Sequence, residues 1–237
     1  MSTVLSLIIP CYNEENTIEI CVERTLQIHK NQCFALELII IDDASTDKSF
    51  EKINALAEKY TEIKILKHSK NKGKGASLRS GFGAATGDYI GIQDADEEYN
   101  PLEYVTLVKT MISENADVVY GSRYLQRNSQ QVFPFVHTLA NKSLTTLSNI
   151  ITRLRLTDME TCYKLFRKEV IHTIAPTLKE NRFGFEPEVT IKIAQNGYKI
   201  HECAISYNPR TRKEGKKIGW KDGVRTLYCL VRYGLFG

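Results

Sequence analysis

The sequence of 237 residues predicts an α/β protein with a mainly parallel central sheet covered on both faces by helices. Three observations carry this. Short β-branched apolar runs alternate with stretches of helical period through the first hundred residues, the pattern of right-handed βαβ crossovers. The runs Val4–Ile9, Leu36–Ile41 and Asp88–Ile92 are apolar on both sides, as in strands buried under helices. Each ends abruptly in a polar turn: Pro10–Asn16, Asp42–Asp47 and Asp94–Glu98. In open α/β sheets ligands bind at the carboxyl ends of the strands, so these turns are expected to meet on one edge.

The elements follow in order. Pro10 stops the first strand, and Asn13 is a plausible cap for a helix running to about His29. After the second strand, Phe50, Ile53, Leu56 and Ala57 share one face of a helix from Asp47 to Tyr60. Ile63–Leu66 reads as a third strand. Lys70-Asn-Lys-Gly-Lys-Gly75 opens a helical stretch to Ala85, and the fourth strand leads into the acids. Helices are expected at Pro101–Glu114, at Leu139–Leu154 with its apolar face on the sheet, at Lys168–Ala175, from Phe183 to Ala194 and at Asp222–Tyr233. Strands are expected at Asp117–Tyr120 and Lys199–Tyr207, with an apolar run toward Phe166. Gln126–Gln131 is a polar loop. No internal repeat or domain-scale linker interrupts the chain.

Composition narrows the function classes. Thirty-two basic and 28 acidic residues leave a net charge of +4, too small to argue for nucleic acid. The basic residues concentrate late: Arg210, Arg212, Lys213, Lys216, Lys217 and Lys221 stand against Glu214 alone, a tail suited to phosphate or an anionic membrane surface. The six cysteines show neither CxxC pairs nor regular spacing, which points to a reducing compartment. No signal peptide is visible and no window holds the ~18 apolar residues of a membrane span, so the expectation is a soluble or peripheral protein.

The chemistry centres on Ile90-Gly-Ile-Gln-Asp-Ala-Asp-Glu-Glu98. A buried strand that delivers Asp94 and Asp96 to its end is costly unless the charges meet a cation or water. Asp-x-Asp spacing suits a hard divalent ion shared with a diphosphate, with Glu98 as a further ligand and Glu97 pointing to solvent. A surface turn with solvated acids is the plain alternative, and the two companion turns weigh against it. The Lys72-Gly-Lys-Gly75 segment offers backbone N–H groups and lysines to phosphate at a helix start, without P-loop spacing.

Ser6-Leu-Ile-Ile-Pro-Cys-Tyr-Asn-Glu-Glu15, Ile39-Ile-Ile-Asp-Asp-Ala-Ser-Thr-Asp47, Lys72-Gly-Lys-Gly75, Gln93-Asp-Ala-Asp96 and Gly121-Ser-Arg-Tyr124 together resemble the family 2 glycosyltransferases. Asp158-Met-Glu-Thr-Cys-Tyr-Lys-Leu-Phe-Arg167 and Ala204–Arg210 resemble the polyprenyl-phosphate branch, of the dolichol-phosphate mannose synthase type. The resemblance implies a GT-A fold, Rossmann-like with three α/β/α layers. It also implies one domain, with residues 1–120 as the nucleotide-sugar half and 121–237 as the acceptor half. Pro10, Tyr12, Glu14, Asp42, Asp43, Lys74, Gln93 and Asp94 would meet the nucleotide sugar. Asp94, Asp96 and Glu98 would hold Mg²⁺ or Mn²⁺, where many relatives have glutamine in place of Glu98. Asp94, Asp96 and Arg123 would be catalytic. Arg123 would meet acceptor phosphate, with His137 and Asn141 where mannose synthases commonly carry arginine and serine; an attacking phosphate also calls for cations to position it, for which Arg210 and Lys216 or Lys217 are the candidates.

The implied reaction is inverting transfer of a hexose from a GDP-mannose or UDP-glucose type donor to a polyprenyl or dolichyl phosphate. The enzyme would be peripheral on the cytoplasmic membrane face, held by its basic loop, its amphipathic surface or a membrane-anchoring partner. Two alternatives stay open. One is transfer to a glycan hydroxyl, with Asp158 or Glu186 as base; the other is a non-catalytic nucleotide-sugar-binding subunit.

Overall fold

The computed structural model describes residues 3–28, 34–125, 135–210 and 219–236. In chain order the elements are β1 (Thr3–Cys11), α1 (Ile18–Leu26), β2 (Phe34–Asp42), α2 (Ser49–Lys59), β3 (Ile63–Lys67) and α3 (Lys74–Ala84). They continue with β4 (Tyr89–Ile92), α4 (Tyr104–Ser113), β5 (Val118–Ser122), α5 (Phe135–Thr152) and β6 (Lys164–Arg167). The last are α6 (Lys168–Ile174), α7 (Phe185–Gln195), β7 (Ile200–Ala204) and α8 (Trp220–Phe236).

Seven strands form one sheet in the order β3-β2-β1-β4-β6-β5-β7. All neighbouring pairs run parallel except those involving β6, which is antiparallel to both β4 and β5. Alternate residues of the buried strands feed two cores. Leu5, Leu7 and Ile9 of β1 pack with Ile18 and Val22 of α1, Ile53 of α2 and Leu107 of α4. On the other face Ile8 packs with Leu78 and Phe82 of α3, Ile171 of α6, Val189 of α7 and Leu230 of α8. The result is the expected three-layer arrangement with a mainly parallel sheet.

Three elements depart from the sequence expectation. Asn13 does not cap α1: its backbone is left-handed (φ 51°) and its Oδ1 accepts the Thr46 amide at 2.8 Å, so the helix starts only at Ile18. The α5 helix lies against α7 and α8 rather than on the sheet, with Leu144, Leu147 and Ile151 half-buried between them. Pro101–Glu103 forms a 3₁₀ turn, and regular α-helix begins at Tyr104. Among the described residues no helix is long and apolar enough to cross a membrane.

Candidate active site

The register brings Cys11 beside Asp42 and Ile8 beside Ile92, so β1, β2 and β4 all end on one edge. There the three polar turns are stitched together. The amides of Asn13, Glu14 and Glu15 donate to Ser45 Oγ, Ser49 Oγ and Asp47 Oδ2 at 3.0, 2.8 and 3.2 Å. Cys21 Sγ of α1 lies 3.2 Å from the Asp94 carbonyl. Above this edge opens a cleft of about 370 Å³ whose walls include Pro10, Tyr12, Glu14, Asp43, Lys74, Asp94, Asp96 and Glu98. Arg123 and Arg210 close it from the second half of the chain.

Other expected residues sit elsewhere. Asp42 lies beneath the cleft, fully buried, with Oδ2 lacking a hydrogen-bond partner. Gln93 is also beneath it, accepting the Tyr163 hydroxyl at 2.6 Å and donating to the Asp94 carbonyl. Asn141 on α5 is 3.4 Å from the Tyr124 hydroxyl and is not part of the cleft wall. Lys216 and the side chain of His137 lie outside the described residues.

Asp43 is spent on the glycine loop. Its carboxylate accepts the amides of Lys72 and Gly73 at 2.9 and 2.7 Å and faces His68 Nδ1 at 2.6 Å. Those loop amides, suited by sequence to phosphate, thus already hold an anion. Gly73 has φ 95°, and a Cβ on Gly75 would lie 2.3 Å from the Glu180 carbonyl. Only glycine lets the start of α3 lie this close to the 180–182 backbone.

Lys74, at the first position of α3, reaches Asp94 Oδ1 at 2.8 Å, Glu186 Oε1 at 3.4 Å and Cys162 Sγ at 2.9 Å. Burial opposes the Asp94 charge, but Lys74 beside it holds the carboxyl below its ordinary value. Asp96 behaves in the opposite way. Burial, Asp94 and Glu98 push its pKa up to about 7, against the pull of Arg210. The Arg210 guanidinium contacts Asp96 Oδ2 at 2.5 Å, Glu14 Oε2 at 3.3 Å and Glu98 Oε1 at 3.5 Å.

The donor set fits a divalent cation in one particular way. Glu98 uses both carboxylate oxygens on the 207–210 segment, accepting the Tyr207 hydroxyl at 2.8 Å and the Arg210 amide at 2.9 Å. Among the described residues no three acidic, histidine or cysteine side chains converge as a ready-made cage. Asp94 and Asp96 therefore offer a two-carboxylate site, the type that completes its shell with substrate phosphate and water. The cationic nitrogens of Lys74 and Arg210 now on these carboxylates mark them as positions where positive charge is stabilised.

Arg123 is buried and paired bidentately with Asp158, Nε–Oδ2 at 2.7 Å and Nη2–Oδ1 at 2.8 Å, while its amide donates to the same carboxylate. Its guanidinium lies 5.1 Å over the Tyr207 ring. Asp158, a candidate base by sequence, is thus a positioning partner of Arg123.

The sequence pattern does not single out Glu160 or Cys162, which also line the cleft. Burial and the adjacent Glu186 push the Glu160 carboxyl up to about 8, and one oxygen on each of these glutamates lacks a hydrogen-bond partner. The buried Lys164 ammonium, donating to the Met159 and Thr161 carbonyls, has its pKa lowered by burial. The only sequence signal for this group is the family-like run beginning at Asp158.

The fold and this edge define an α/β domain whose strand ends carry paired carboxylates, Asp94 and Asp96, in one cleft with Arg123 and Arg210. Residues 6–175 match the glycosyl transferase family 2 model, and the chain belongs to that family. It is 28% identical to a dolichol-phosphate mannosyltransferase of Pyrococcus furiosus over 97% of its own length and 64% of the relative's. It is 25% identical to a dolichyl-phosphate beta-glucosyltransferase of Trichomonas vaginalis over 98% of its length and 73% of the relative's. The chain thus spans just under two thirds of the Pyrococcus protein. Among solved structures, it matches glucosyl-3-phosphoglycerate synthase from Mycobacterium tuberculosis, in complex with Mn²⁺, UDP and glucosyl-3-phosphoglycerate, with a TM-score of 0.71 at 18% identity. That match covers 98% of this chain and 80% of the other, and it identifies the fold as GT-A.

Proposed function

We propose that this protein is a metal-dependent inverting glycosyltransferase that moves a hexose from a GDP- or UDP-sugar to a polyprenyl phosphate. The observation that carries this reading is that Asp94 and Asp96 line the same cleft as Arg123 and Arg210. The first pair suits a cation and a leaving diphosphate; the second suits an attacking phosphate. The Pyrococcus and Trichomonas relatives, named for dolichol-phosphate mannosyl and dolichyl-phosphate glucosyl transfer, support the acceptor class. The Mycobacterium synthase, in complex with Mn²⁺ and UDP, supports the cofactor and nucleotide class.

Asp94 and Asp96 would hold Mg²⁺ or Mn²⁺, with Glu98 acting through the 207–210 segment. When bound, the cation stabilises charge building on the departing diphosphate. Pro10, Tyr12, Glu14 and Asp43 shape the nucleotide end of the cleft, and Lys74 holds Asp94 ionised. A lipid monophosphate is largely dianionic at neutral pH, its second pKa being about 6, so it attacks without a strong base. The engagement of Asp158 with Arg123 and of Glu186 with Lys74 agrees with a reaction that spares the general base a glycan hydroxyl would need. In this reading residues 1–120 serve mainly the donor and 121–237 the acceptor.

Membrane contact falls to α8. Val224, Leu227, Tyr228, Val231 and Leu235 form an exposed apolar stripe at helical spacing, while Cys229, Leu230 and Tyr233 face the core. The basic run from Arg210 to Lys221 leads into this helix. An apolar stripe beside clustered lysines suits an anionic lipid surface, and we assign that surface to the cytoplasmic face.

The test is a donor panel of radiolabelled GDP-mannose, UDP-glucose and UDP-N-acetylglucosamine with a short polyprenyl phosphate. Label should enter the organic phase with one donor, vanish with EDTA and return with Mn²⁺ or Mg²⁺. Transfer to a soluble sugar hydroxyl but not to the lipid would overturn the acceptor assignment.

A further inference from the structure

We propose that Arg210 competes with the divalent cation for the Asp96 carboxylate, so that cation binding transfers the guanidinium to phosphate in the cleft. The inference rests on the metal and phosphate roles proposed above and adds a binding order to them.

The geometry separates what is fixed from what can move. The main chain of the segment is clasped by Glu98: its carboxylate takes the Tyr207 hydroxyl and the Arg210 amide, and its carbonyl takes the Asn208 amide at 2.8 Å. The carboxylate gives each of the two donors, the Tyr207 hydroxyl and the Arg210 amide, its own oxygen.

The Arg210 side chain, in contrast, is held by charge-assisted contacts to three carboxylates. It donates to Asp96 and Glu14 by separate Nη atoms, and its buried Nε lies 3.5 Å from Glu98 Oε1 without making a hydrogen bond. Asp96 Oδ1 accepts the Glu98 amide at 3.0 Å and Oδ2 accepts the Arg210 guanidinium, so a cation taking this carboxylate at Oδ2 meets the arginine there. A divalent ion and a guanidinium on one oxygen would be like charges in close approach in a desolvated cleft, so each weakens the other's binding. Displaced from Asp96, Arg210 stays tethered by its clasped backbone next to Tyr207, over whose ring Arg123 lies. Both arginines then flank the same volume, which a phosphate oxyanion fits.

This orders the reaction: cation with nucleotide diphosphate first, acceptor phosphate second. An acceptor arriving early would find Arg210 engaged by carboxylates.

The test measures Mn²⁺ binding without nucleotide, by calorimetry or by loss of the free-ion paramagnetic resonance signal. Removing a charge-assisted contact from Asp96 should make Arg210→Ala bind Mn²⁺ about tenfold tighter than wild type. Guanidinium chloride should return the variant toward wild-type affinity, while sodium chloride at equal ionic strength should not. Arg210→Lys, with charge kept but the fork lost, should fall between. In wild type, Mn²⁺ should strengthen methyl phosphate binding, and Arg210→Ala should lose most of that gain. Equal or weaker Mn²⁺ binding by Arg210→Ala, with the fold intact by circular dichroism, overturns the inference alone. No Mn²⁺ binding by either protein, even with UDP or GDP, overturns the metal reading and the inference with it.

Discussion

Asp158 shows how much a single buried carboxylate can organise. It is fully buried and balances Arg123 with two side-chain contacts and one backbone amide. Removing one partner of such a pair leaves the other charge unpaired, at a cost of about 3–5 kcal/mol. Asp158→Asn should therefore lower the urea midpoint strongly and abolish transfer, although residue 158 donates nothing to the substrate itself. Glu37 makes a second case, away from the cleft. Burial pushes its carboxyl up, but hydrogen bonds from Lys64, Ser6 and Thr86 prevail and hold it at about 2, against an ordinary 4.5. The folded value lies below the unfolded one, so this stabilisation is complete above about 4.5 and disappears as pH falls through about 2. Glu37→Gln should cost about 1–3 kcal/mol at pH 7, and the gap from wild type should close between pH 4.5 and 2 in denaturant titrations.

The strand-end acids were readable from sequence because a carboxylate after an apolar β-run has few places to go. Their partners were not. Arg210 meets Glu14 across 196 positions and Asp96 across 114, and Arg123 meets Asp158 across 35. Local patterning carries no record of such distances. The same holds for Glu160 and Lys164, charged residues in a buried segment without periodicity, and for Asp43, whose place beside Asp42 gave no sign that it would clamp the glycine loop.

At the scale of elements, α3 and α8 make contrasting demands. The start of α3 tolerates no side chain at position 75, where the obstruction is the backbone of residues 180–182. Gly75→Ala should force the two segments apart, destabilise the protein by about 2 kcal/mol or more, and weaken nucleotide binding by shifting Lys74. Calorimetric melting and nucleoside diphosphate titration would register both effects. The α8 helix is anchored on one side by Arg225 and Tyr233 to Glu180, at 2.7 and 3.0 Å, and leaves its other face to solvent. Leu227→Glu with Val231→Glu should leave the melting temperature within a few degrees, as surface changes do, while reducing sedimentation with anionic vesicles. The helical period of this segment was plain in the sequence. Its double-sided apolar character was not, because burial of one face depends on α7 and α5.

For the whole molecule, strand–helix alternation was enough to anticipate a mainly parallel sheet, and the one strand that breaks the rule was the hardest to see. β6 has four residues and begins with a buried lysine, so neither length nor pattern marks it. Its reversed direction has a structural result: the chain enters β6 at the same edge where β1, β2 and β4 leave, which delivers residues 158–163 to the cleft.

The place of β6 between β4 and β5 also bears on how the protein is made. Among the described residues β4 pairs with β1 and β6, whereas β5 pairs with β6 and β7. A nascent chain that has not yet released residues 164–167 from the ribosome can assemble β3-β2-β1-β4 but cannot finish the sheet. During that interval β4, which leads into Asp94 and Asp96, presents a bare apolar edge, the kind that can recruit a neighbouring chain. Pairing of β6 covers that edge of β4 and, by the same contact, brings Glu160 and Cys162 to the cleft wall.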